Sequence, residues 1–383
     1  CGVTLPDEVK KILFVVNASE FFLSHRLPLA IAAESAGYEV HVASASGPDV
    51  ESIRAQGFPH HIIPFARSGQ NPFSEIKTLL QLVNLFRHLK PDLVHLITIK
   101  PVLYGGIAAR VTGVGAVVSA VSGLGTVFLA DSFSAKLRKW IVSRLYAAAF
   151  RQKRLAVIFQ NPDDRDTLIS LGALQPSQAR MIRGSGVSLA DYPVFPEPQG
   201  VPAVVMAARL LRDKGVVEFV EAARLLKERG VEVQMRLIGS PDPGNPTTVK
   251  QHEIDQWEQE GYIRPMGFRD DIAYQYATAN IVCLPSYYGE GLPKSLIEAA
   301  ACGRAVITTN HPGCRDAITP DVTGLLVPVK DAQALADAIQ KLIENPEMRK
   351  QMGQAGRALA EEAFAIEKIV DQHMHIYQEL LES

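Results

Sequence analysis

Residues 192–227 read YPVFPEPQG VPAVVMAARLLRDKG VVEFVEAARLLK. Three prolines inside Tyr192–Gly200 favour an extended backbone, since each fixes φ and removes an amide donor. The apolar run Ala203–Ala208 that follows reads as a buried strand, and Val216–Lys227 carries helical amphipathic spacing. Between them stands the cationic stretch Arg209-Leu-Leu-Arg-Asp-Lys214-Gly215. An extended segment followed by strand, loop and helix marks the opening of a domain, and the boundary is placed here, at 195/196.

The same rhythm runs in both directions. Upstream, Lys11–Val16, His41–Ala45, His61–Phe65, Leu93–Ile97, Ala116–Val121 and Ala156–Gln160 read as strands, with helical periodicity between them, as in Ile76–Leu89. Downstream, Arg236–Gly239, Ile281–Pro285, Ala305–Thr309 and Leu325–Pro328 read as strands, and 332–381 is mostly helical. Strands alternating with helices predict an α/β protein of two doubly wound, Rossmann-like domains facing a cleft. The predicted division is 1–195, 196–363, and a final helix, 364–383, returning toward the first domain.

The 383 residues suit two or three domains at roughly 150 residues each. With 47% hydrophobic and 21% charged residues the chain is globular, and no apolar run approaches the roughly 18 residues of a membrane span. Residues 1–190 carry a net charge of +7 and the remainder −9. One half therefore favours an anionic partner, while overall charge argues against nucleic acid. Four cysteines are too sparse for a disulfide scaffold and point to a reducing, cytosolic setting. A start at Cys1 implies a processed or trimmed chain rather than a lipid-modified cysteine.

Two stretches carry chemistry. In the first, Gly215 permits a tight turn, Arg209 can fork onto two phosphate oxygens, and Lys214 supplies a point charge. Such a loop either neutralises a diphosphate or is a solvated turn capped by Asp213. In the second, PSYYGEGLPKSLIEAAACG at 285–303, a helix is expected over about Pro293–Cys302. Its N-terminus, loosened by Gly289 and Gly291, suits an anion, and Glu290 stands beside it. Glu298 sits among apolar residues, so its carboxylate either needs partners such as ribose hydroxyls or lies on a wet face. Asp164-Arg165-Asp166 spells a metal-type D-x-D, but Asn161-Pro162 before it reads as a helix cap, and no required metal is expected. His60-His61 and the His373/His375 pair lack a ligand set. Ser132–Gln160 holds seven cations and no acid, interleaved with Trp140 and other apolar residues. It reads as a helix lying on an anionic membrane surface or packing on the sheet.

Glu290 and Glu298 in E-x7-E spacing, with Arg209 and Lys214 upstream, resemble the retaining glycosyltransferases of family 4, which have the GT-B fold. The resemblance extends through Phe22–Pro28, Asn71–Phe73, Gly123–Thr126, Gly186–Leu189 and Pro312–Asp316. It is strongest to bacterial enzymes that extend polyprenyl-diphosphate-linked glycans.

The resemblance implies an acceptor-binding first domain and a nucleotide-sugar-binding second one. Arg209 and Lys214 would hold the donor diphosphate, Glu298 the ribose, and Glu290 the transferred sugar. Gly291, Leu292, Phe268 in the loop Met266–Arg269, and Gly123 and Gly125 in the first domain would also face the donor. The loop after the fourth strand, Ile97-Thr-Ile-Lys100-Pro, lacks the histidine that many members carry. Lys100 is the candidate replacement, with His25 second. His25, Arg26, Lys136, Arg138, Lys139 and Trp140 are candidates for the acceptor or the membrane. The partners the resemblance implies are a UDP-linked nucleotide sugar, a lipid-linked glycan and an anionic membrane on the cytoplasmic side. A sugar-nucleotide epimerase, a soluble glycan synthase and a non-catalytic nucleotide-sugar-binding protein are the alternatives.

Overall fold

The computed structural model describes residues 9–66, 71–124 and 133–382. Cys1, Gly125 and Thr126 lie outside the described residues. The chain forms two compact units: one runs to Ile182 and takes in the residues from Val370 on, and the other is Arg183–Ile369.

The first unit holds seven parallel strands: β1 (Lys11–Val16), β2 (Glu39–Ser44), β3 (His60–Ile62), β4 (Leu93–Ile97), β5 (Ala116–Val121), β6 (Leu155–Phe159) and β7 (Ala179–Met181). Their order in the sheet is β3-β2-β1-β4-β5-β6-β7. The central strands read as near-continuous apolar runs because both faces are covered, and β4 and β5 are buried along their whole length. The second unit holds β8 (Ala203–Ala207), β9 (Gln234–Ile238), β10 (Arg264–Gly267), β11 (Ile281–Leu284), β12 (Ala305–Thr309) and β13 (Gly324–Val327), in the order β10-β9-β8-β11-β12-β13. In each sheet the order reverses once, at β1/β4 and at β8/β11. Chain emerging from the carboxyl ends of those neighbouring strands diverges and leaves room for a ligand.

The spacing missed β7 and β10. Both are short edge strands, and neither shows the apolar run of a buried one.

The boundary is also corrected. The unit division falls at 182/183, so the proline segment belongs wholly to the second unit rather than ending the first domain. The segment, extended as its prolines dictate, is strapped down by arginines, two of them buried. Arg304 donates to the carbonyls of Phe195, Tyr276 and Ala277. Arg349 forks onto Glu197 at 2.8–3.0 Å, and Arg357 donates to the Tyr192 carbonyl. Proline removes amide donors from the segment, but the carbonyls before its prolines remain strong acceptors, and guanidinium groups take those of Tyr192 and Phe195. The last helix runs Ile366–Glu382, and the division falls inside it, after Ile369.

Candidate active site

The reversal point of the second sheet carries the chemistry. After β8 the chain makes a turn at Arg212–Lys214 and reaches Gly215 at φ +83°. A Cβ at Gly215 would stand 2.1 Å from the Pro285 carbonyl oxygen at the end of β11. Only glycine lets the two loops approach so closely. They are stitched by the Tyr287 amide donating to the Asp213 carbonyl at 2.9 Å.

That approach sets Lys214 on Glu290. The Lys214 ammonium donates to Glu290 Oε1, to which Ser286 Oγ also donates at 3.1 Å. The ammonium lies 4.9 Å from the Tyr288 ring centroid. Both charged side chains are nearly buried, at 13% and 11% exposure, so the pair is screened far less than a surface one. Gly313, at φ +85°, backs this loop: a Cβ there would come within 2.6 Å of the Glu290 carbonyl oxygen.

Glu298 lies on the helix Lys294–Ala301, with Pro293 just before it and Cys302 just after. It is 8% exposed, which decides against the wet face. Tyr192 Oη donates to its Oε1 at 2.8 Å, and Lys294 Nζ stands 3.9 Å away. Burial raises its pKa, with Lys294 and the Tyr192 hydrogen bond opposing. Sequence reasoning missed Tyr192, because it was read as part of an extended linker.

Arg209 is half exposed and pairs with Asp242 at 3.2 Å, in the Pro/Gly-rich loop after β9. The Leu292 side chain is buried, so what it offers a ligand is main chain. Phe268 follows β10 and is 78% exposed, beside the Arg269–Asp271 pair. The structure thus brings Lys214, Glu290 and Ser286 together directly and gives Arg209 and Glu298 partners of their own.

In the first unit, Lys100 follows β4 and donates to Glu75 at 2.8 Å and to the Ala66 carbonyl at 3.0 Å. Its candidacy at the reacting centre therefore requires it to leave, or share, a carboxylate. Gly123 follows β5 at φ +104° and is buried. His25 Nδ1 lies 2.6 Å from Ser24 Oγ, and its ring stacks on Phe21 at 4.0 Å. Arg26, a candidate for the acceptor or the membrane, lies in the core. A break between the helices Ser19–His25 and Leu27–Ser35 turns it inward to 2% exposure, and burial lowers its pKa to about 10. Lys136, Arg138 and Trp140 on the helix Phe133–Ala149 are exposed, and Lys139 is half-buried. The D-x-D stretch is a helix start, with the Asp164 amide donating to the Asn161 side chain at 2.9 Å. Among the described residues no group of three or more His, Cys, Asp or Glu is placed to hold a metal ion.

Known proteins agree with this layout. Residues 11–161 match the family described as glycosyl transferase 4-like, and residues 191–359 that of glycosyl transferases group 1. The N,N'-diacetylbacillosaminyl-diphospho-undecaprenol alpha-1,3-N-acetylgalactosaminyltransferase of Campylobacter jejuni is 26% identical over 97% of this chain and 100% of its own length. The capsular polysaccharide biosynthesis glycosyltransferase CapM of Staphylococcus aureus is 26% identical over 90% of each chain. Among solved structures, Anabaena HepE in complex with UDP superposes with a TM-score of 0.77 at 19% identity, over 96% of this chain and 100% of that one. The sucrose-phosphate synthase of Thermosynechococcus elongatus gives 0.80 at 23% identity, over 97% and 99%. Two matched families spanning 11–359, on two doubly wound sheets, make this chain a member of the GT-B glycosyltransferases of family 4.

Proposed function

We propose that this glycosyltransferase moves a hexose or N-acetylhexosamine from a UDP-linked donor to a polyprenyl-diphosphate-linked glycan, with retention at the anomeric carbon. The observation that carries the reading is the nearly buried Lys214–Glu290 pair at the sheet reversal. A diphosphate arriving there offers Lys214 a second anion, and Glu290 is left to accept from hydroxyls of the sugar. Arg209, half exposed on a loop, can turn from Asp242 onto the same phosphates. Glu298, oriented by Tyr192, would grip the ribose. The acceptor class is inferred from the full-length relative in Campylobacter jejuni, which is named for such a substrate.

Chemically, the bond between the anomeric carbon and the diphosphate oxygen breaks through an oxocarbenium-like state. The acceptor hydroxyl attacks from the same face, and its proton passes to the departing phosphate oxygen. The side chains neutralise the leaving group and hold the geometry, so neither a protein nucleophile nor a required metal enters the proposal. The working place is the anionic, cytoplasmic face of the membrane, held by the basic helix Phe133–Ala149.

The test is turnover of UDP-sugars with a polyprenyl-diphosphate-linked acceptor, with and without EDTA, and NMR of the product anomer. An inverted product would end the same-face mechanism, and loss of turnover on chelation would end the metal-free one. Turnover only with a water-soluble glycan would shift the assignment to a glycan synthase.

A further inference from the structure

The helix Pro72–Leu89 buries Thr78, Leu82 and Phe86 against its unit. Phe73, Ile76 and Leu80 recur at spacings of three and four on the other side, and they are 84%, 55% and 62% exposed. An amphipathic helix turns one apolar stripe inward; this one carries a second that folding does not use. The helix Phe133–Ala149 repeats the pattern. It buries Tyr146 and Ala149 and exposes Leu137, Trp140 and Ile141.

These two helices belong to one layer. From β3 to β4, β5 and β6 the chain steps across the sheet in a single direction, and right-handed crossovers put the intervening helices on one face. The helix Gly106–Thr112 packs against both and adds exposed Val111. The charges have one sign: Lys77, Arg87, Arg110, Lys136, Arg138 and Arg144 are exposed. Glu75 is the sole acid in the three helical sequences, and it is ion-paired with Lys100.

We propose that this three-helix face is a lipid-insertion surface: Phe73, Ile76 and Leu80 enter the headgroup–acyl boundary of an anionic bilayer beside Leu137, Trp140 and Ile141. It rests on the membrane reading above and goes beyond it by adding the Pro72–Leu89 helix and assigning it the apolar, salt-resistant part of binding. A second copy of the chain would set cations against cations, and a nucleic acid offers no layer to receive Ile76 and Leu80. An anionic bilayer satisfies both the charge and the apolar stripes.

The experiment is co-sedimentation of the full chain with phosphatidylglycerol/phosphatidylethanolamine vesicles, at low salt and at about 0.5 M, where screening is short-ranged. Wild type is expected to bind at both. Phe73→Ser/Ile76→Ser/Leu80→Ser should bind at least tenfold more weakly at high salt, with unchanged melting temperature. Lys136→Gln/Arg138→Gln should lose binding chiefly at low salt. A polarity-sensitive dye on Phe73→Cys should shift to the blue with vesicles, whereas one on Val201→Cys in the second unit should not. Equal binding of the triple variant overturns insertion while leaving the basic-helix reading intact. Wild-type binding abolished by salt also overturns insertion, and no wild-type binding at either salt ends both readings. A solution dimer dissolved by the triple variant, without change at vesicles, would give the face to a second copy.

Discussion

Lys214 and Glu290 are chemically a stored charge pair. Each side chain faces the other at the sheet reversal, and on the function proposed above a bound donor would give each a separate partner. Charge-assisted contacts are worth about 1.5–3 kcal/mol, so Lys214→Ala should lower turnover by about one to two decades. Steady-state kinetics at saturating donor check this, and near-normal turnover would remove Lys214 from the mechanism. Glu298 behaves differently. Its raised pKa means that burial penalises the carboxylate, so its ionisation costs stability at neutral pH. That cost disappears as pH falls through the folded-state pKa. Glu298→Gln should therefore raise the melting temperature at pH 7, by about 2–4 °C per kcal/mol relieved, and the gain should shrink in acid. The same variant should bind UDP more weakly. A destabilised Glu298→Gln at neutral pH would contradict the burial account.

At the scale of elements, loops rather than strands separate this protein from a generic doubly wound fold. Gly215 and Gly313 admit backbone where a Cβ would collide, and so two loops that are distant in sequence converge on Glu290. The proline segment is held by side chains from the far end of the unit. Arg349, 6% exposed, binds Glu197 and also donates to the Leu342 carbonyl at 2.8 Å. Arg349→Ala strands a partly buried carboxylate and should cost about 3 kcal/mol. Thermal unfolding followed by circular dichroism reads this out. A variant as stable as wild type would mean that the prolines alone hold the segment.

The two units of the whole molecule should respond oppositely to acid. In the first, burial lowers the pKa of His95 well below 6.5, lowers His61, and, with Arg54 adding, takes His60 to about 4. Below pH 6.5 the unfolded chain binds protons that these folded imidazoles refuse. Stability is thus lost as pH falls, by up to ~1.4 kcal/mol per pH unit for each group. In the second unit, Glu298 and Glu218 have raised pKa values and favour the folded state as they protonate. Between pH 7 and 5 the first unit should melt progressively earlier than the second. Trp140→Phe leaves Trp257 as the sole tryptophan, a reporter of the second unit alone. Its emission should change with the later of two phases in the loss of helical dichroism at pH 5; coincident transitions at every pH would refute the split.

The sequence by itself determined the alternation of strands and helices, the two doubly wound domains, and the pairing of a cationic loop with an E-x7-E helix start. The pairing of loop and helix start rests on the family resemblance; the alternation and the domains depend on spacing within a dozen residues, where side-chain periodicity directly reports which face is buried. The Asn161 cap was legible for the same reason. Tertiary structure alone decided that Tyr192 orients Glu298 from 106 positions away, that Glu75 holds Lys100, and that Arg26 points inward. It also decided that the Phe73–Ile76–Leu80 stripe faces outward: periodicity shows that a helix has an apolar side, whereas only packing shows which side the core has already filled.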